Sequence, residues 1–254
     1  FQAAAGSPPE AECLQCHSPL GMRDNAMVSR SFHQEEGVTC VSCHLVEDAM
    51  HGPHGSTALI APHRIQEDRA TYTSPSLCAN CHGETVEQWH KATAGQQAPT
   101  CQECHQALVE RTVTQGTNLF SNMLVAFEKK VSTRSHDINL EHMARVPDGI
   151  SLTIAPPTHH ADETSWEVTV RNNLPHDLPT GTYGEKELRL VPVVATANRR
   201  LSEQSVLLGK ASQALAAGEL KKLHITLKTN PVPSGPLRLD VERHSPSHAE
   251  RNPI

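Results

Sequence analysis

Four stretches of the chain share one spacing: Cys13-x-x-Cys16-His17, Cys40-x-x-Cys43-His44, Cys78-x-x-Cys81-His82 and Cys101-x-x-Cys104-His105. Two thiols three residues apart lie on one side of a helical turn, where both can form thioethers to a single porphyrin. The residue four after the first Cys sits on that same side and can place an imidazole on the iron as its proximal ligand. The cofactor-binding set is therefore Cys13, Cys16, Cys40, Cys43, Cys78, Cys81, Cys101 and Cys104, with His17, His44, His82 and His105 as proximal ligands, and the expected cofactor is four covalent haem c. Zinc held by paired Cys-x-x-Cys motifs and a disulfide framework are the competing readings. Neither needs a His after every second Cys. With 17 His in 254 residues, chance fills one such position about 0.07 of the time and all four about 2 times in 100,000. All eight Cys fall in the motifs, so none is left as a separate nucleophile.

Each iron needs a sixth ligand or stays open. Thirteen further His are available, against Met22, Met27, Met50, Met123 and Met143, so mostly bis-His ligation is expected.

Composition points the same way. Aromatic residues make up only 3% of the chain, and the mean hydropathy is −0.44. A protein-only core would be thin, and four porphyrins would supply the missing apolar surface. The N-terminal part is expected to have little regular structure, with short helices centred on the motifs and another over Thr85–Thr93. Phe120, Met123, Leu124, Phe127 and Val131 fall on one helical face, which reads as a packing helix over residues 117–131, with a partner-binding helix as the alternative. From about residue 146 the period changes to two. Ile150/Leu152/Ile154, Trp166/Val168/Val170, Leu188/Leu190, Leu223/Ile225/Leu227 and Leu237/Leu239/Val241 alternate with polar residues between Pro-, Asn- and Gly-containing turns. The expected fold class is α+β: a haem-packed domain over 1–145, then a small antiparallel β-sandwich over 146–254 that ends in an extended polar tail.

No apolar run reaches the roughly 18 residues of a membrane span, and no Lys/Arg block suggests nucleic acid. The start at Phe1 has neither an initiator Met nor a signal peptide and reads as a processed terminus. Because covalent haem attachment takes place outside the cytoplasmic membrane, a periplasmic or extracellular location is expected.

Several pieces together carry a family resemblance. They are Glu36-Gly-Val-Thr-Cys40-Val-Ser-Cys-His44, Gly52-Pro-His-Gly55, Ala61-Pro-His63, Leu77-Cys-Ala-Asn-Cys-His82 and Glu87-Gln-Trp89. Thr100-Cys-Gln-Glu-Cys-His105, Ser135-His136-Asp137 and Asn172-Asn-Leu-Pro-His176-Asp-Leu-Pro-Thr-Gly181 continue it. Over most of residues 30–190 the chain resembles multihaem cytochromes related to the tetrahaem cytochromes of nitrifying bacteria. The resemblance implies His33, His63, His136 and His176 as distal ligands, with His54 and His142 in reserve. The chain departs from the group in a longer stretch between His105 and His136, and in Pro175, where Gly usually precedes the His.

The expected function is electron transfer without catalysis, since bis-His irons have no open position. Redox proteins or extracellular acceptors are the expected partners. Some tetrahaem cytochromes of this general type stack into extracellular filaments, so a filament subunit and a soluble periplasmic shuttle both stay open. An oxidoreductase acting on a small nitrogen or sulfur compound at one open haem is the alternative from another class.

Overall fold

A computed structural model describes residues 16–19, 37–58, 61, 63–94, 96–138, 149–160, 163–181, 186–194, 199–201, 205–210, 213–228 and 237–244. Cys13, His33, His142 and the tail from Ser245 lie outside these. The fold is mixed α+β, with few helices and several small, largely antiparallel sheets. The chain forms two compact units, Phe1–Cys81 with Pro99–Asp137, and His82–Ala98 with Ile138–Ile254.

In the first unit, helix α1 (Cys40–His44) is a single motif turn. It is followed by β1 (Leu45–Val46), β2 (Ala49–Gly52) and β3 (Arg64–Glu67), with β1–β2 antiparallel and β2–β3 parallel. Helix α2 (Arg69–Tyr72) starts at Asp68, whose carboxylate accepts from the Thr71 N–H at 3.1 Å. The Asp68 N–H donates to the Gly52 carbonyl at 2.7 Å, which pins α2 to the end of β2. A 3-10 turn (Pro75–Cys78) leads into helix α3 (Ala79–Thr93), which kinks at His82 (φ −119°, ψ 38°). It starts six residues earlier than the expected helix at Thr85, because the third motif supplies its first turn.

Helix α4 (Cys101–His105) carries the fourth motif. Strands β4 (Leu108–Arg111) and β5 (Val131–Arg134) pair antiparallel, and the Ser135 N–H extends the ladder to the Ala107 carbonyl. Between these strands lies helix α5 (Leu119–Val125), capped by Asn118. The expected packing helix over 117–131 is therefore seven residues long, and Val131 belongs to β5. Leu119, Phe120 and Met123 are 80%, 72% and 65% exposed, and Phe127, just beyond the helix, 97%. The described part of this unit has no hydrophobic cluster for them to join; its buried apolar residues are Ala49, Tyr72 and Pro75.

The second unit has such a core. Strands β6 (Ile150–Ile154), β7 (Thr158–His160), β8 (Glu163–Asn172) and β12 (Leu220–Lys228) form one antiparallel sheet. Strands β9 (Glu187–Val194), β10 (Arg199–Arg200), β11 (Val206–Lys210) and β13 (Leu237–His244) form the other. Alternate residues of β8 and β12 (Val168, Val170, Ile225, Leu227) meet Leu188, Leu190 and Leu208 of the second sheet, together with Leu215. Two sheets sharing one apolar layer make a sandwich.

Candidate functional site

The motif turns form for local reasons. Five residues are too few for a stable helix, so capping decides. Thr100, directly before Cys101, exchanges two hydrogen bonds with Glu103: the Glu103 N–H donates to Thr100 Oγ1 at 3.3 Å, and the Thr100 N–H to Glu103 Oε2 at 2.7 Å. Thr39 and Ser42 occupy the same places before and within the second motif, and the Thr39 N–H donates to Ser42 Oγ at 3.1 Å. The two variable residues of Cys-x-x-Cys-His thus include a capping-box partner, which presents both Cys and the His on one turn. The third motif lacks such a pair and is held by its continuation into α3.

The thiols of the motifs are close together. Cys16 Sγ lies 4.0 Å from the Cys81 carbonyl oxygen. Cys78 and Cys101 share a hydrogen bond between thiols, which raises the pKa of Cys78 and lowers that of Cys101. Cys43 is near enough to push both Cys78 and Cys81 upward by charge repulsion. The third motif therefore lies against parts of the other three. The seven described Cys, all but Cys13, form no disulfide. Among the described residues no three His, Cys, Asp or Glu gather as a metal-binding group, so the paired-motif zinc geometry is not seen there.

Around His44 the arrangement is detailed. Its Nδ1 lies 2.6 Å from the His51 carbonyl oxygen, an orienting bond that leaves Nε2 as the coordinating nitrogen. Nε2 of His136 approaches Nε2 of His44 to 3.4 Å, with ring centroids 5.6 Å apart and planes inclined by 67°. Tyr72 lies parallel to His44: its ring is 5.0 Å from that of His44, with 9° between the planes. Its hydroxyl donates to the Cys43 carbonyl at 2.7 Å. Partial burial, His44 and the Arg111 cation hold His136 below its ordinary pKa. The hairpin β4–β5 explains how His136 arrives, two residues past the end of β5 and 31 residues after His105 in sequence.

The other expected distal ligands are less gathered. His63 is exposed beside β3, with Nδ1 3.3 Å from the Arg64 carbonyl oxygen. His54 is half-buried just after β2. His176 lies in a built loop of the second unit. Asn172, fully buried, donates to the carbonyls of His176, Leu215 and Ala216 at 2.9, 3.0 and 3.1 Å, and accepts from the Leu174 N–H at 3.0 Å. The next turn is fastened to α3. Gln88 Oε1 accepts from the Asp177 N–H (3.1 Å) and the Thr180 hydroxyl (2.9 Å), and Thr85 and Thr180 hydroxyls lie 2.7 Å apart. His176 Nδ1 lies 3.0 Å from the Asp177 carbonyl oxygen, which orients the ring. Tyr72 was not legible as a site residue because it sits at no motif spacing, and Asn172, although it opens the Asn172–Gly181 stretch, acts through a buried amide that the stretch does not reveal.

The donor set fits haem c: paired thiols on one turn, an imidazole at the fourth following position, and Nε2 atoms converging on one point. Their separation is slightly under twice a metal–imidazole bond of roughly 2 Å.

Residues 2–45, which hold the first two motifs, match the family model described as cytochrome c554 and c-prime. The fold is similar to the crystal structure of a penta-haem cytochrome c552 from Thermochromatium tepidum, with a TM-score of 0.55 and 16% identity over 96% of this chain and 78% of that chain. The family match supports a c-type cytochrome, and the structural likeness supports the fold. No curated protein matches the chain. No described helix is long and apolar enough to cross a membrane. A cytochrome of this type fits a periplasmic or extracellular location and redox partners.

Proposed function

We propose that the chain carries electrons through four covalently bound, mostly bis-His haems and is not itself a catalyst. The observation that carries this reading is the convergence of His44 and His136, a motif imidazole and one 92 residues away, with their Nε2 atoms 3.4 Å apart. Each described motif would hold its haem through two Cys and its His, and Cys13 completes the first. His136 would be the distal ligand at the second. His176, His63 and His33 are the proposed distal ligands elsewhere, with His54 and His142 in reserve. Bound there, haem supplies one-electron chemistry. The protein would orient the ligand imidazoles and bring the motifs together, so that each transfer step is short.

Electron paramagnetic resonance of the oxidised protein tests this. Four low-spin ferric signals are expected. His136→Ala should convert one haem to high spin and leave three nearly unchanged, and His176→Ala should do the same to a different one. A wild-type high-spin signal that responds to nitrite, hydroxylamine or cyanide would instead support the oxidoreductase reading.

A filament subunit, joined by a head-to-tail contact that does not close, and a lone shuttle are both compatible with this reading. Electron microscopy of the native protein decides between them. Filaments would support assembly, and uniform single particles would leave the shuttle.

A further inference from the structure

We propose that Tyr72 is a positioning residue for the haem of the Cys40–His44 motif, a role that rests on the electron-transfer reading above. Tyr72 is one of only a few buried apolar side chains described in its unit, at 8% exposure. It touches the motif twice. Its ring is stacked parallel on the His44 imidazole, and its hydroxyl donates to the carbonyl of Cys43, an attachment residue. The bond from His44 Nδ1 to the His51 carbonyl fixes one edge of the imidazole, but one hydrogen bond leaves the ring free to rock about it. A flat aromatic face removes that freedom.

Tyr72 is itself held from both ends. Asp68 caps α2 and is bonded to Gly52, the residue after His51. The buried amide of Gln102, inside the fourth motif, donates to the carbonyls of Ser74 (2.8 Å) and Tyr72 (3.4 Å). The plane of His44 is thereby locked to the same β2–α2 segment that orients its Nδ1. In a bis-imidazole iron the angle between the two ligand planes sets the splitting of the d orbitals, and so the g-values and the reduction potential. The His44 and His136 planes are inclined by 67°, so a shift of the His44 plane would change that angle.

The test uses the fully loaded protein and two variants. Tyr72→Leu removes the stack and should shift the g-values and potential of one low-spin haem, leaving the other three unchanged. Tyr72→Phe keeps the ring and should restore the wild-type g-values. A Tyr72→Leu protein with all haems low-spin and wild-type g-values and potentials would overturn the role while leaving the electron-transfer reading intact. A wild-type protein lacking haems or low-spin signals would overturn that reading first. Should Tyr72→Leu fail to mature, ¹³C-tyrosine labelling of the native protein serves, since the chain has two tyrosines, Tyr72 and Tyr183. The Tyr72 ring signals, assigned by their loss in Tyr72→Phe, should lie outside the diamagnetic range in the oxidised state and return to it on reduction. Tyr72 signals within that range in both states would overturn the proposal.

Discussion

In the sandwich, Val168, Val170, Leu190, Leu208, Ile225 and Leu227 are at most 1% exposed and pack against one another. In the motif-bearing unit, by contrast, Phe120 and Met123 stand 72% and 65% in solvent, and half of the described buried positions are polar: Ser18, Gln102 and Glu128. One unit buries an apolar layer of its own. The other is tied by caps, short ladders and side-chain hydrogen bonds around clustered thiols and imidazoles. Such bonds contribute only about 1 kcal/mol each, too little to offset chain entropy without an apolar interior. The contrast implies that the first unit folds on its cofactors, as binding free energy can become folding free energy.

Blocking haem attachment should have the largest effect. In a chain produced without haem, hydrogen exchange should keep β8, β9 and β12 protected and strip protection from residues 37–81 and 99–137. Native-like protection there would break the distinction. Next comes Ile225→Ala, which opens a cavity in the sandwich and should cost about 2–5 kcal/mol; thermal melting should show the loss while the haem spin states stay as in wild type. Asn172→Ala leaves the three carbonyls it serves without that donor and should cost about 2–3 kcal/mol. It should also loosen the His176 loop, seen as partial high-spin character at one haem, whereas an unchanged spectrum and melt would show the loop to be held otherwise.

Glu128 gives a smaller, pH-dependent effect. Burial alone would raise its pKa, but hydrogen bonds from the Ser56 hydroxyl, the Thr114 and Thr57 N–H groups and the Thr114 hydroxyl together hold it below the ordinary 4.5. The carboxylate's contribution is complete above that ordinary value and fades as pH falls through the lower, folded one. Glu128→Gln should therefore lose about 1.5 kcal/mol near neutral pH and less in acid. A deficit that does not change with pH would contradict this. The smallest effect is expected at the exposed Arg64–Asp48 pair, 2.8 Å apart with side chains 72% and 71% exposed. Arg64→Ala should change stability by less than about 1 kcal/mol, and a larger loss in denaturant titration would give that surface pair an unexpected role.

Much of this contrast is legible in the chain. The motif spacing marks the proposed attachment residues, and period-two alternation marks β6, β8, β9, β12 and β13. Strands β7 and β10 are too short to show a period, and β11 reads Val206-Leu207-Leu208, a run rather than an alternation. The 117–131 face misleads because periodicity registers an apolar stripe and not whether an interior exists to receive it. The partners of His44 are hidden for a different reason. His51 acts through its backbone carbonyl, which every residue has, and Tyr72 through a stacking geometry that no spacing encodes. His136 reaches His44 only because the hairpin β4–β5 returns the chain.

The most direct measurement is the intact mass of the native protein. The account predicts the 27.7 kDa polypeptide plus four covalent haems. A mass carrying two or three, or none, would contradict it.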